Sequence, residues 1–161
     1  MSESRRHGIP AWHPAVVLAN WFGCGLLPLG PGTWGSLAAL PLAWLLVTHG
    51  GAPALAAATV AVLLVGWWAA ATYVRRTAID DPREVVIDEV AGQWLTLLAV
   101  PPDPLLYLAG FAAFRLFDIW KPWPVGWADR TIGGGLGVML DDVLAGLYAM
   151  AVVALAMRLH R

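Results

Sequence analysis

Polar and apolar positions are segregated along this chain. Of its 21 Asp, Glu, Lys and Arg residues, 15 fall in two windows, residues 75–89 and 115–142, and apolar runs separate and flank them. From His7 to Val74, 68 consecutive residues include none of these four types, where a soluble stretch at roughly 25% charged would hold about 17. The apolar runs predict helices in a membrane. Residues 36–47 form a first run of about 12, which lengthens to about 18 if the uncharged loop 29–35 also lies at membrane depth; this suits a re-entrant or tilted segment. His49-Gly50-Gly51-Ala52-Pro53 predicts a turn, and residues 54–74 a helix of about 21 residues, enough to span a bilayer. Arg75-Arg76 closes this hairpin and Arg5-Arg6 precedes it, so the positive-inside rule puts both ends in the cytoplasm.

A third run, residues 90–114, is interrupted by Pro101-Pro102-Asp103-Pro104. Proline removes backbone donors and disfavours helix in the residue before it, so two short helices of about 11 residues joined by a turn are expected. The fourth run, residues 143–157, is about 15 long and ends with Arg158 and Arg161. A full crossing would put those arginines opposite Arg75, against the positive-inside rule, so the topology beyond residue 90 is left open.

Composition agrees with this patterning. The chain has 161 residues, one domain's worth, and is 59% hydrophobic, against about 45–50% in globular proteins. The expectation is an all-α, compact, membrane-embedded domain over residues 1–161, with residues 1–19 as a basic, irregular tail. Residues 2–7 read as its cytoplasmic part, because Pro14, Asn20, Gly23, Gly25 and Pro28 break the apolar stretch that a cleaved signal would need. A net charge of −1 with interleaved acids and bases gives no field for nucleic acid. The single Cys24 forms no internal disulfide and is read as packing. Ten tryptophans, clustered near the ends of the apolar runs, read as interfacial anchors.

Chemistry concentrates in the charged windows. The first carries two acidic pairs, Asp80-Asp81 and Asp88-Glu89, the latter opening an apolar helix through Val90-Ala91-Gly92. A structural role for Asp88 as a helix cap is the simpler alternative. Glu89 weakens it, because an acidic side chain at mid-bilayer costs on the order of 2.5–3.5 kcal/mol unless something compensates the charge. The second window ends in Gly133-Gly134-Gly135-Leu136-Gly137 and then Asp141-Asp142-Val143-Leu144-Ala145-Gly146, nearly repeating the first motif. Two helix mouths with matched carboxylate pairs are expected. The small residues that follow allow close helix approach, which would bring the pairs together. Converging carboxylates repel unless a hard divalent ion neutralises them, and Mg²⁺ is the simplest choice.

Between the pairs, Arg115, Asp118 and Lys121 recur at three-residue spacing, so one helix face mixes a candidate metal ligand with two cations suited to phosphate; a local ion pair is the alternative. Asp129-Arg130 follows beside the glycine-rich turn. Upstream, Gly30-Pro31-Gly32-Thr33-Trp34-Gly35-Ser36 runs into the first apolar helix as a backbone able to approach an anion.

These residues together resemble the phosphatidylglycerophosphatase A family. The resemblance rests on Pro31 to Ser36, on Val86-Ile87-Asp88-Glu89-Val90-Ala91-Gly92, on Phe114-Arg115 through Asp118-Ile119-Trp120-Lys121-Pro122, and on Asp129-Arg130 through Asp141-Asp142 to Gly146. It implies an all-helical Mg²⁺-dependent lipid phosphatase, acting on phosphatidylglycerophosphate within membrane lipid, on the cytoplasmic face of the bacterial inner membrane. On this reading Asp80, Asp88, Glu89, Asp118, Asp141 and Asp142 hold Mg²⁺ and carry the chemistry, while Thr33, Ser36, Arg115, Lys121 and Arg130 bind the phosphate. The nucleophile is water or one of the aspartates. The alternative function is a small transporter or channel with an acidic cation vestibule, whose acids should be dispersed through the spans.

Overall fold

In a computed structural model, described over residues 8–159, every regular element is helical: α1 Pro14–Ala19, a 3₁₀ turn Cys24–Leu26, α2 Pro31–Thr77, α3 Ile87–Leu97, α4 Pro104–Trp120, α5 Val125–Thr131 and α6 Gly134–Leu159. Residues 1–7 of the expected tail and Arg161 lie outside the described residues, whereas residues 14–19 of it form α1, with Ala15, Val16 and Ala19 buried, rather than irregular chain.

The 47-residue α2 is two helices joined at Gly51, whose φ of 69° and ψ of −175° are not helical. Only glycine adopts that conformation readily. The chain reverses there. Gly35 of the first arm meets Val86, and Gly66 of the second meets Ile87, so two residues about thirty apart in sequence reach neighbouring positions. The predicted hairpin and its turn are therefore present. The first arm begins at Pro31 rather than at residue 36, because proline at the first helical position needs no N–H partner. Residues 29–35 are thus mostly helix rather than loop; the first arm, residues 31–50, reaches the ~20 residues needed to cross a bilayer and the second, residues 52–77, exceeds it.

The Pro101–Pro104 break separates α3 from α4 as expected. Asp103 caps α4 by accepting from the N–H groups of Leu105 at 2.9 Å and Leu106 at 3.0 Å. At 11 residues, α3 is too short to span. It enters the bundle from the open end of the α2 hairpin, and α4 returns toward that end, with Tyr107 edge-on to Trp44 at 5.2 Å.

The largest departure from expectation is α6, a 26-residue helix long and apolar enough to cross a membrane. Its first turns are the glycine run read as a turn. A Cβ at Gly135 would lie 2.3 Å from the Ala71 backbone, and one at Gly137 would lie 1.7 Å from the Ile132 carbonyl. Close packing onto neighbouring backbone overrides the low helix propensity of glycine. With Gly135 against Ala71 and Met139 against Gly66, α6 runs antiparallel to the second arm of α2. Arg158 therefore ends near the Gly51 turn, away from Arg75 and Arg76.

Candidate active site

Four segments converge at the open end of the α2 hairpin. The first turn of α3 brings Asp88 and Glu89, the end of α4 brings Asp118 and Lys121, α6 brings Asp141 and Asp142, and the loop between α2 and α3 brings Asp80. All seven line one cavity of about 270 Å³. The acids thus gather around a single cavity rather than along the spans, the arrangement expected of surface chemistry.

The helix crossing that permits this is built from the repeated Ala-Gly of the two acidic motifs. A Cβ at Gly146 would stand 2.5 Å from the Gly92 carbonyl oxygen, and one at Gly92 would stand 2.6 Å from the Asp142 carbonyl oxygen. Thr96 Oγ1 donates to the Gly146 carbonyl at 3.2 Å across the same contact. Glu89, Asp118 and Asp142 are all buried, and one carboxylate oxygen of each lies within 4.8 Å of the others. Asp142 Oδ2 is buried with no hydrogen-bond partner among the described residues. Three hard oxygen donors with one unsatisfied suit a hard divalent cation.

Two cations already balance part of this charge. Arg115 bridges Glu89 and Asp118, at 2.8 Å to Asp118 Oδ2. Ser36 Oγ donates to Glu89 Oε2 at 2.8 Å. Gly32 leaves room for that carboxylate, since a Cβ there would fall 1.8 Å from Glu89 Oε1. Lys121, in a left-handed conformation at the end of α4, lies 2.7 Å from Asp129 Oδ1 and 2.5 Å from Asp141 Oδ2. Burial works against its charge, but hydrogen bonds to Asp129 and Asp141 outweigh burial and raise its pKa. Burial also dominates at Glu89, where with the facing Asp118 it raises the carboxyl pKa, and Arg115 and Ser36 pull the other way.

Not every expected residue reaches the cavity. Thr33 and Arg130 are exposed and off its wall. Ser36 and Arg115 stand behind Glu89. Arg115 was expected to meet phosphate, but its i,i+3 spacing to Asp118 and its contact with Glu89 commit it to carboxylates, so the ion pair read as the simpler alternative is present. Asp88 is in the first turn of α3 but is not its cap, a position held by Val86. Asp141 and Asp142 lie about two turns inside α6 rather than at its mouth, because the preceding glycines are helical.

The wall also carries residues outside the expected set, namely Asp129, Asp81 and Arg83. Asp129 is eight residues beyond Lys121 and reaches it only through the turn before α5. Arg83 had one sequence signal, as the single cation between the two acidic pairs of the first window.

The chain matches the model of the phosphatidylglycerophosphatase A family over residues 17–157. It is 36% identical to phosphatidylglycerophosphatase A of Escherichia coli (strain K12) over 154 residues, covering 95% of this chain and 87% of the relative. Identity to the protein of the same name from Haemophilus influenzae is 38% over 142 residues, covering 88% and 87%. A Bacteroides thetaiotaomicron protein provisionally named a phosphatidylinositol-3-phosphatase is 40% identical over 160 residues, covering 91% and 95%. No solved structure matches the chain. The family match and these identities over most of its length show that the chain belongs to the phosphatidylglycerophosphatase A family, a family of phosphoric monoester hydrolases.

Proposed function

We propose that this protein removes the terminal phosphate of phosphatidylglycerophosphate, giving phosphatidylglycerol and inorganic phosphate, with Mg²⁺ as cofactor and on the cytoplasmic face of the bacterial inner membrane. The observation that carries the reading is the convergence of Glu89, Asp118 and Asp142 from three helices, with Asp142 Oδ2 lacking a hydrogen-bond partner among the described residues. Arg75 and Arg76 close α2 at the cavity end of the bundle, which supports a cytoplasmic site. The choice of lipid rests on the family and on the Escherichia coli and Haemophilus influenzae relatives. The Bacteroides thetaiotaomicron relative is named for a different lipid, but again for a phosphate monoester.

Glu89, Asp118 and Asp142 would hold the Mg²⁺, with Asp88, Asp141 and Asp80 on the surrounding wall. A bound Mg²⁺ supplies Lewis-acid polarisation of a phosphoryl oxygen and offsets the carboxylate charge. Arg115 fixes Glu89 and Asp118 in register, and Ser36 fixes the orientation of Glu89. Lys121 holds Asp141 and keeps its proton, leaving a positive charge on the wall. One domain supplies all of these groups.

The test is phosphate release from phosphatidylglycerophosphate in detergent micelles, with Mg²⁺ or EDTA, for the native chain, Glu89→Gln and Asp142→Asn. Release that needs Mg²⁺ and is lost in both folded variants supports the reading. A folded native protein that releases no phosphate with Mg²⁺ sinks it for this lipid, and a parallel arm with a 3-phosphorylated phosphoinositide shows whether another lipid monoester is the substrate.

A further inference from the structure

An anionic lipid entering this cavity meets eight acidic side chains on the wall and two cations, Arg83 and Lys121. It needs a cation whose N–H groups are not already committed to carboxylates. Arg115 is bound to Glu89 and Asp118, and Lys121 lies between Asp129 and Asp141. Arg130 is exposed and off the wall. Arg83 is on the wall, its side chain is exposed, and it enters none of the ion pairs among the described residues.

The loop that carries Arg83 is pinned on both sides of it. Pro82 is fully buried, and Val85 and Val86 are buried beyond it. Val85 N–H donates to the Pro82 carbonyl at 2.9 Å, and Val86 N–H donates to the Ala19 carbonyl at 2.8 Å. Gly25 packs so closely on the Glu84 carbonyl that a Cβ would fall 2.0 Å from it. An exposed guanidinium on a fixed backbone loses less freedom on binding than one on a mobile loop, and its planar fork matches two oxygens of one phosphate.

We propose that Arg83 forms a phosphate subsite on the cavity wall, its guanidinium binding a phosphate oxyanion of the lipid substrate. The proposal rests on the lipid-phosphatase reading above. The oxyanion belongs either to the terminal monoester that is removed or to the diester that stays on the product, and a guanidinium fork serves both.

The test compares Arg83→Gln, Arg83→Lys and Arg76→Gln with the native chain in mixed micelles with Mg²⁺. Arg83 is exposed and in no ion pair among the described residues, so its variants should fold. Arg83→Gln is expected to raise KM for phosphatidylglycerophosphate about tenfold, as for one lost charge-assisted hydrogen bond, with kcat within about twofold. Arg83→Lys keeps the charge without the fork and should fall between. Arg76→Gln, which removes an exposed charge at the same end of the bundle, should leave KM unchanged. If Arg83→Gln weakens inhibition by inorganic phosphate, the terminal phosphate is the one bound; if it weakens inhibition by phosphatidylglycerol alone, the diester is. Either supports the subsite. Native values of KM and both inhibition constants in Arg83→Gln would overturn it, as would a loss confined to kcat, or an equal rise of KM in Arg76→Gln. A native chain that releases no phosphate from this lipid would remove the reading on which the subsite rests, an outcome distinct from any of these.

Discussion

The two acidic pairs have nearly the same sequence surroundings and opposite structural ones. Asp88-Glu89 sits in the first turn of α3, where Asp88 Oδ1 accepts the Glu89 N–H at 2.9 Å and a helix N-terminus favours negative charge. Asp141-Asp142 sits inside α6, where backbone N–H groups are already used and only side chains or a ligand can compensate charge. Asp141 has Lys121, whereas Asp142 keeps a buried oxygen without a hydrogen-bond partner among the described residues. A helix end supplies its own counter-charge, and a helix interior must import one. The pair in the interior should therefore depend more on a cation.

The largest expected effect breaks that dependence at Asp142. Asp142→Asn should lower Mg²⁺-dependent phosphate release by about 10³-fold and abolish the rise in thermal midpoint that Mg²⁺ gives the native chain. Without metal the variant should be no less stable, because it removes a buried charge facing Glu89 and Asp118. Asp88→Asn keeps an oxygen for the Glu89 N–H and should lose less activity, with part of the Mg²⁺ stabilisation remaining. Equal losses at the two positions would refute the contrast between helix end and helix interior.

Next in size is the crossing that brings the pairs together. Gly146→Val would force a side chain onto the Gly92 carbonyl, which cannot move without shifting α3, and should destabilise the protein by about 3 kcal/mol in detergent unfolding. Gly133→Ala, with nothing within 4 Å, should be close to neutral. Similar losses for both would mean that the Gly92–Gly146 approach is not what fixes the two helices.

The two cation clamps differ in a way that sharpens the comparison further. Arg115 and its partners are only 11–15% exposed, so Arg115→Met leaves two buried carboxylates uncompensated and should cost about 3 kcal/mol without metal. Lys121 and Asp129 are 30% and 34% exposed. Solvent screens the Asp129 half of that clamp but not the half to Asp141, which is 11% exposed, so Lys121→Met should cost less than Arg115→Met, about 2 kcal/mol, and the Asp129 part should shrink with added salt.

Much of this was legible in the sequence where one residue type forces a local outcome. Gly50-Gly51 and Pro53 marked the hairpin turn, and Pro101 to Pro104 marked the break between α3 and α4. The repeated Ala-Gly after each acidic pair foretold the close crossing, because a missing side chain matters most where another backbone approaches. What was not legible depends on tertiary contact. The helical state of Gly135 and Gly137 is decided by Ala71 and Ile132, distant or unpatterned neighbours. Arg115 was expected to face phosphate because its attachment to Glu89 crosses 26 positions, which no local spacing reports. Lys121 likewise finds Asp141 across 20 positions.

The smallest expected effect concerns a polar group that the site does not use. Gln93 lies one turn below Glu89 on α3, is fully buried, and has neither amide atom hydrogen-bonded among the described residues. Burying an amide without partners carries a desolvation penalty of about 1–3 kcal/mol, which an apolar side chain of the same shape avoids. Methionine matches glutamine in length and flexibility and has no strong hydrogen-bonding group. Gln93→Met should therefore raise stability by about 1 kcal/mol and leave KM and kcat within about twofold, read from detergent unfolding and phosphate release. A loss of stability would mean that a buried water or a substrate group meets this amide, and a loss of kcat as well would extend the polar site one turn deeper along α3. The same substitution thus distinguishes a carboxylate cluster that ends at Glu89 from one that continues into the bundle.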